Sequence, residues 1–208
     1  MMADMKDSAI DRLMKQEERR QKSTVNLIAS ENYVSGDVLA ALGSVMTNKY
    51  AEGYPGRRYY GGNEVIDQVE ELAKERALKL FRLSPKEWHV NVQPYSGSPA
   101  NLAVYYALIP PHGKIMGMRL DHGGHLTHGH RVSATGALWN QVAYGVERDT
   151  EVLDYKKLEE IAKKEKPDIV VAGFTAYSRI VDFKKMKNVA RAAGTILMVD
   201  ASHFAGLI

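Results

Sequence analysis

DYKKLEEIAKKEKPDIVVAGFTAYSRIVDFKKMKNVARAAGTILMVD, residues 154–200, is the stretch that decides the fold. Asp154 stands where it can cap a helix over 155–164. Residues 168–174 form a nearly continuous apolar strand. Asp182 opens a second helix that runs to Ala193 and stops at Gly194. Residues 195–200 are again an apolar strand, closed by Asp200. Apolar strands that alternate with amphipathic helices imply an α/β sheet covered on both faces.

The same alternation extends upstream to His89. Strands are predicted over 90–92, 115–118 and 141–146, and a helix over 99–109, with Pro110-Pro111 as a turn. Further back, Asn63 is placed to cap a long helix reaching Phe81. Its apolar face carries Val65, Ile66, Val69, Leu72, Ala73 and Leu80. Ser35 is placed to cap a helix over 36–44. Residues 8–21 read as a polar amphipathic helix in front of the domain, suited to packing on a partner subunit. There is no internal repeat.

Composition narrows the class of function. The 208 residues are 45% hydrophobic and 25% charged, ordinary for a globular protein. The net charge of +3, from 28 basic and 25 acidic residues, gives no argument for nucleic acid. The absence of cysteine excludes disulfides, thiol catalysis and cysteine metal sites in this sequence. No apolar run approaches the ~20 residues of a membrane span. The first twenty residues are too charged for a signal peptide, so a cytoplasmic protein that does not engage membranes is expected.

Four clusters carry candidate chemistry. Ser96-Gly97-Ser98 lies between a predicted strand and helix. Its hydroxyls and free helix-start N–H groups suit an anion such as phosphate, although a plain Ser cap before Pro99 would give the same letters. Asp200 and His203 follow a strand, where a carboxylate points into the ligand crevice of α/β proteins; the alternative is a turn-capping Asp. His122-Gly123-Gly124-His125-Leu126-Thr127-His128-Gly129-His130 is the densest histidine cluster. Its spacing is poor for a metal site, and a flat imidazole stacked on an aromatic ligand is the other reading. Finally, residues 47–62, TNKYAEGYPGRRYYGG, hold four tyrosines, Glu52, Arg57 and Arg58 among four glycines. No helix or strand period runs through them, which marks a shaped loop. The bland reading of Glu52 is a surface ion pair with Arg57 or Arg58.

That loop, with Leu27-Ile28-Ala29-Ser30-Glu31-Asn32 before it, resembles the N-terminal part of the serine hydroxymethyltransferases. The resemblance continues in order through residues 90–101, 120–129, 174–178 and 199–207, covering nearly the whole chain. This family is pyridoxal 5'-phosphate (PLP) dependent. It exchanges a one-carbon unit between L-serine or glycine and tetrahydrofolate, or a related pterin.

The resemblance implies a three-layer α/β/α large domain of fold-type I over 35–208, preceded by a helical arm and lead-in over 1–34. It places Ser96, Gly97 and Ser98 on the cofactor phosphate and stacks His125 on the cofactor ring. Asp200 would pair with the pyridine nitrogen, which makes the ring an electron sink, with His203 beside it. Thr175, where the family more often has Ser, would reach the phenolic oxygen. Ser30 and Tyr60 would hold the amino acid, and Tyr50 would reach a cofactor in the neighbouring subunit of a homodimer or larger homo-oligomer. Glu52 would handle a proton at the substrate hydroxyl and the folate, with its pKa raised in a closed, partly dry site. Leu120 and Gly124 would line the folate side. Ser202 replaces the usual small apolar residue between Asp200 and His203, a small change.

The resemblance also sets the family's cofactor-bearing lysine, its carboxylate-binding arginine and its small domain past Ile208. The chain is therefore expected to be an N-terminal portion without the covalent anchor. Two alternatives stand beside the transferase. One is a non-catalytic chain that binds PLP, phosphate or a partner. The other is a PLP-dependent aldolase of β-hydroxy amino acids, which would not be expected to share the 47–62 loop.

Overall fold

The computed structural model describes residues 6–28 and 30–207. Ala29, inside one of the motifs quoted above, and Ile208 lie outside the described residues. The chain forms two compact units, Met1–Tyr33 and Val34–Ile208.

The first unit contains helix α1, Ser8–Ser23. Asp7 caps it by accepting from the Ala9 and Ile10 N–H groups. Spaced ion pairs such as Lys15–Asp11 and Lys22–Glu18 support its polar side. Ile10, Leu13 and Met14 are exposed on it.

The second unit begins with α2, Gly36–Leu42, whose Ser35 cap accepts from Val38 N–H. A short antiparallel hairpin follows, β1 (Gly53–Tyr54) and β2 (Arg57–Arg58). The 47–62 segment is thus not wholly irregular. Pro55 followed by Gly56 at φ +72° supplies the pair a type II turn requires. Helix α3 spans Glu64–Leu80. Asn63 sits at its N-cap position but does not cap it; its amide donates instead to the Tyr60 carbonyl at 2.9 Å.

Then come α4 (Gly97–Leu108), β3 (Lys114–Met118), α5 (Ala134–Leu138), β4 (Asn140–Tyr144), α6 (Tyr155–Glu165), β5 (Ile169–Gly173), α7 (Phe183–Ala192) and β6 (Ile196–Asp200). Asp154 and Asp182 cap α6 and α7 as expected. Residues 90–92 form no strand. Val90-Asn91-Val92 alternates apolar and polar, but a period of two over so short a run does not discriminate. Helix α5 was not anticipated; its five residues are too few for a period.

Strands β3–β6 make one parallel sheet in the order β4-β3-β5-β6. The alternation of side chains sorts two cores. Met116, Met118, Val142, Tyr144, Val170 and Ala172 meet Leu158, Ala162, Met186, Val189 and Ala190 of α6 and α7. Ile115, Ile169 and Val171 meet Tyr105 and Ile109 at the α4 end of the opposite face. The α/β/α layering is therefore as expected. Because every strand is parallel, the C-terminal ends of β3, β5 and β6 open on one edge, where ligands bind in such sheets.

Two buried tyrosines make a paired test of this packing. Tyr144 Oη donates to the Val171 carbonyl at 2.7 Å, whereas buried Tyr105 Oη has no partner among the described residues. Tyr144→Phe is expected to cost about 1 kcal/mol. Tyr105→Phe is expected to be neutral or stabilising, because it removes an unsatisfied hydroxyl. Chemical denaturation of both variants checks the contrast; equal losses would contradict the assignment.

Candidate functional site

Asp200 ends β6 opposite Gly173 of β5. A Cβ at Gly173 would collide with the Asp200 side chain and lie 2.8 Å from its carbonyl oxygen. Glycine there is what lets the two strands close at this point. The Asp200 side chain is 12% exposed, yet it is surrounded by donors. His128 Nε2 lies 2.9 Å from Oδ2 and Asn101 Nδ2 donates to the same oxygen at 2.9 Å. Ser202 donates to Oδ1 from its hydroxyl at 2.6 Å and its backbone N–H at 3.2 Å. Burial by itself pushes the Asp200 carboxyl up. The hydrogen bonds from His128, Ser202 and Asn101 together outweigh it and hold the group well below the usual carboxylate range. Asp200 is a fixed negative charge at the C-terminal edge of the sheet.

The loop after β3 supplies the next layer. Gly117 has no room for a side chain: a Cβ would lie 2.6 Å from the His128 carbonyl oxygen. This close approach seats fully buried His128 against Asp200. The ring of His125 lies with its centroid 5.6 Å from that of His128 at 58°. Burial and the neighbouring His128 push the His125 imidazolium down, against a smaller upward pull from Asp200. Gly123, at φ +102°, accepts through its carbonyl from the N–H groups of Thr175 and Ala176. Thr175 Oγ1 is buried there with no partner among the described residues.

Ser96 occupies the N-cap of α4, but its side chain makes no capping hydrogen bond. The first intrahelical donor is Ala100 N–H, which reaches the Ser96 carbonyl. Pro99 has no N–H, so Gly97 and Ser98 present the free donors of the helix start. A Cβ on Gly97 would lie 3.3 Å from Ser202 Oγ, so this start adjoins the Asp200 cluster.

Other expected residues are less closely gathered. His203 is half-buried just after Asp200. Leu120 borders an open cleft of about 710 Å³ with His122, Val146, Arg148, Tyr177 and Arg179. Gly124 is buried nearby, and a Cβ there would collide with the Met118 carbonyl oxygen. Tyr50 and Tyr60 are exposed and meet edge to face at 5.2 Å. Ser30 is exposed in the first unit.

Glu52 is exposed, so this chain alone does not give it dry surroundings. Arg58 does not pair with it. That guanidinium is held by Asp67 at 2.8 Å and Glu70 at 2.6 Å. The remaining histidines separate: His122 Nδ1 accepts from Val146 N–H, and His130 Nδ1 from Val132 N–H. Among the described residues, no three His, Asp or Glu side chains are grouped to hold a metal ion, and no helix is long and apolar enough to cross a membrane.

Sequence reading missed Asn101, Thr127, His128, Gly173 and the reach of Ser202 onto Asp200. Asn101 left one signal: a lone amide among the apolar residues of α4.

The residues fit PLP by the chemistry of their donor set. A carboxylate kept ionised suits a pyridinium nitrogen, an unpartnered buried hydroxyl suits a phenolic oxygen, and a free helix start suits a phosphate. A parallel α/β/α sheet carrying this set on its C-terminal edge defines the large domain of the fold-type I PLP enzymes. The family model for serine hydroxymethyltransferase matches residues 3–208, and the chain belongs to that family. It is 52% identical over 202 residues to "Serine hydroxymethyltransferase 1" of Pseudomonas fluorescens (strain Pf0-1), covering 97% of this chain and 48% of that protein. It is 54% identical over 202 residues to the serine hydroxymethyltransferase of Alkalilimnicola ehrlichii, covering 97% of this chain and 47% of the relative. The chain thus spans about half the length of the curated relatives it matches.

Proposed function

We propose that this chain builds the cofactor-holding half of a serine hydroxymethyltransferase site. The reaction is the reversible transfer of the serine hydroxymethyl carbon to tetrahydrofolate or a related pterin, leaving glycine, in a cytoplasmic enzyme of one-carbon metabolism. The observation that carries this reading is Asp200, a largely covered carboxylate that four hydrogen bonds keep charged at the ligand edge of a parallel sheet.

PLP, when bound, supplies an electron sink for the carbanion formed when a bond to the substrate α-carbon breaks. The chain's residues set the conditions for that chemistry. Asp200 holds the proton on the pyridine nitrogen, because its own carboxyl does not take it. Thr175, with its buried free hydroxyl, would donate to the phenolic oxygen, and His203 would lie beside the cofactor. Ser96, Gly97 and Ser98 would hold the phosphate at the start of α4. His125 would stack on the cofactor ring.

Glu52 moves a proton at the substrate hydroxyl once the site is closed. Tyr50 and Tyr60 project from an exposed loop, as residues serving a neighbouring subunit would; Ser30, in the first unit, is a separate candidate contact to the amino acid. Leu120 borders the pterin side. The exposed apolar stripe of α1 suits packing on that second subunit.

Titration of the chain with PLP, followed by visible absorbance and then borohydride treatment, tests this reading. Saturable, dialysable binding is expected, weakened about tenfold or more by joint Ser96→Ala and Ser98→Ala substitution. No saturable binding, or binding indifferent to these serines, would overturn it. Borohydride fixation to one lysine would show that a lysine of this chain serves as the anchor.

A further inference from the structure

We infer that Asn101 and Thr127 are positioning residues that lock His125 as the neutral Nε2–H tautomer, with the charge on Asp200 setting the direction of every hydrogen bond between them. The inference rests on the reading above only for the placement of His125 against the cofactor ring.

The chain of bonds begins at a group that can only accept. Asp200 is ionised, so the group facing Oδ2 at 2.9 Å must be the Asn101 amide nitrogen and not its oxygen. That nitrogen carries two hydrogens, and the second is aimed at Thr127 Oγ1, 2.8 Å away. Thr127 Oγ1 therefore accepts from Asn101 and has its single proton left to give. The neighbour in reach is His125 Nδ1 at 2.7 Å.

An independent donor fixes the same end of the ring. Thr127 backbone N–H points at His125 Nδ1 at 3.2 Å. Two donors converge on one ring nitrogen, so that nitrogen carries no proton. The ring proton is on Nε2, and the ring is neutral. An Nδ1–H would face the Thr127 N–H, donor against donor, in a place with little access to water. Asn101 is 5% and Thr127 7% exposed, so solvent does not offer easy replacement partners.

The charged and titratable groups around His125 are His128, Asp200 and His203. Burial and His128 both disfavour a charged ring, in keeping with the lock. The consequence for the site is electrostatic. A neutral imidazole can lie flat on a pyridinium ring without placing two cations in contact. The carboxylate placed to pair with the pyridine nitrogen thus also orients the bonds that leave His125 Nδ1 unprotonated, although its charge by itself pulls the other way.

Long-range proton–nitrogen NMR of the chain carrying ¹⁵N-labelled histidine tests the lock. It needs neither cofactor nor turnover, so its failure leaves the transferase reading standing, and a failed transferase assay leaves the lock standing. In the parent chain, His125 Nδ1 is expected to resonate as an unprotonated nitrogen and Nε2 as a protonated one at neutral pH. Thr127→Val keeps the shape but loses the hydroxyl. There the two nitrogen shifts are expected to move toward each other, and the ring to titrate at higher pH. Thr127→Ser is expected to restore the parent pattern. Exposed His112, away from the site, reports whether each variant is folded. A parent ring protonated on Nδ1, a charged ring at neutral pH, or a Thr127→Val spectrum identical to the parent in a folded variant would each overturn the inference. If Thr127→Val does not fold, the parent tautomer and Thr127→Ser still decide it.

Discussion

Asp200→Ala is expected to remove specific PLP binding, with an affinity loss of 100-fold or more, on the order of 3 kcal/mol, and to lower the stability of the fold at the same time. Two arguments give these effects. The first concerns the proposed ligand: without the carboxylate, nothing in the cluster would hold a proton on a pyridine nitrogen, and the charge-assisted bond proposed there would be lost. The second concerns the protein. Asn101 and His128 each aim a donor at Oδ2, and both side chains are buried. Truncation leaves these donors unsatisfied, each at a cost of about 1–3 kcal/mol.

Asp200→Asn separates the two effects. Its amide oxygen can still accept one set of bonds, so stability is largely kept while the charge is gone. Binding measured by absorbance and stability by denaturation should therefore fall together in Asp200→Ala, with binding falling much further than stability in Asp200→Asn. Equal PLP affinity in Asp200→Asn and the parent chain would refute the role of the charge. The pH dependence has a fixed sign. The Asp200 carboxyl is depressed in the fold, so its contribution is complete above the unfolded value of about 3.9. It is withdrawn as pH falls below that toward the folded value.

Arg58→Ala is expected to release the 47–62 loop and, on the proposed reading of Glu52, to lower transferase activity of the assembled enzyme on the order of 100-fold. The guanidinium is a clamp with every face in use. Nε and Nη2 bind Asp67 and Glu70, and Nη1 donates to the Ala51 and Gly53 carbonyls at 2.8 and 2.7 Å, on either side of Glu52. Asp67 also accepts from Gly56 N–H, and Gln93 bridges Glu70 to the Gly53 carbonyl. One planar fork thus ties the hairpin to α3. Lysine has a single ammonium and cannot reproduce that geometry, so Arg58→Lys should rescue little.

Hydrogen exchange at the Gly56 and Tyr59 amides, which donate to Asp67 and to the Glu52 carbonyl, reads the release directly. Unchanged exchange there with lost activity would point to some other role for Arg58. Exposed Arg57, one residue earlier, is the control, and its replacement should leave the loop in place.

The neighbouring arginines show the limit of sequence reading. Both stand in one glycine-rich loop, and no local pattern separates the buried clamp from the exposed neighbour. An ion pair of Glu52 with Arg57 or Arg58 is the local choice, but the fold offers Arg58 two better-placed carboxylates on α3. Asn63 behaves likewise: its position before a helix predicts a cap, yet the Tyr60 carbonyl of the folded loop takes its amide.

What the sequence determined by itself is what local physics encodes. Caps at Ser35, Asp154 and Asp182, the apolar runs of β3, β5 and β6, and Gly194 at φ +67° ending α7 follow from hydrogen-bonding and steric rules that act within a few residues. From them come the α/β class and the placement of Asp200 at a strand's C-terminal end. The tertiary structure alone decided that 90–92 is no strand, that Gly124 is buried, and that Asn101 and His128 converge on Asp200. Those contacts span 99 and 72 residues. A period of two or 3.6 reports which face a side chain occupies, not which distant face will be laid against it. That pairing is set when the parallel sheet closes and brings the ends of its strands to one edge.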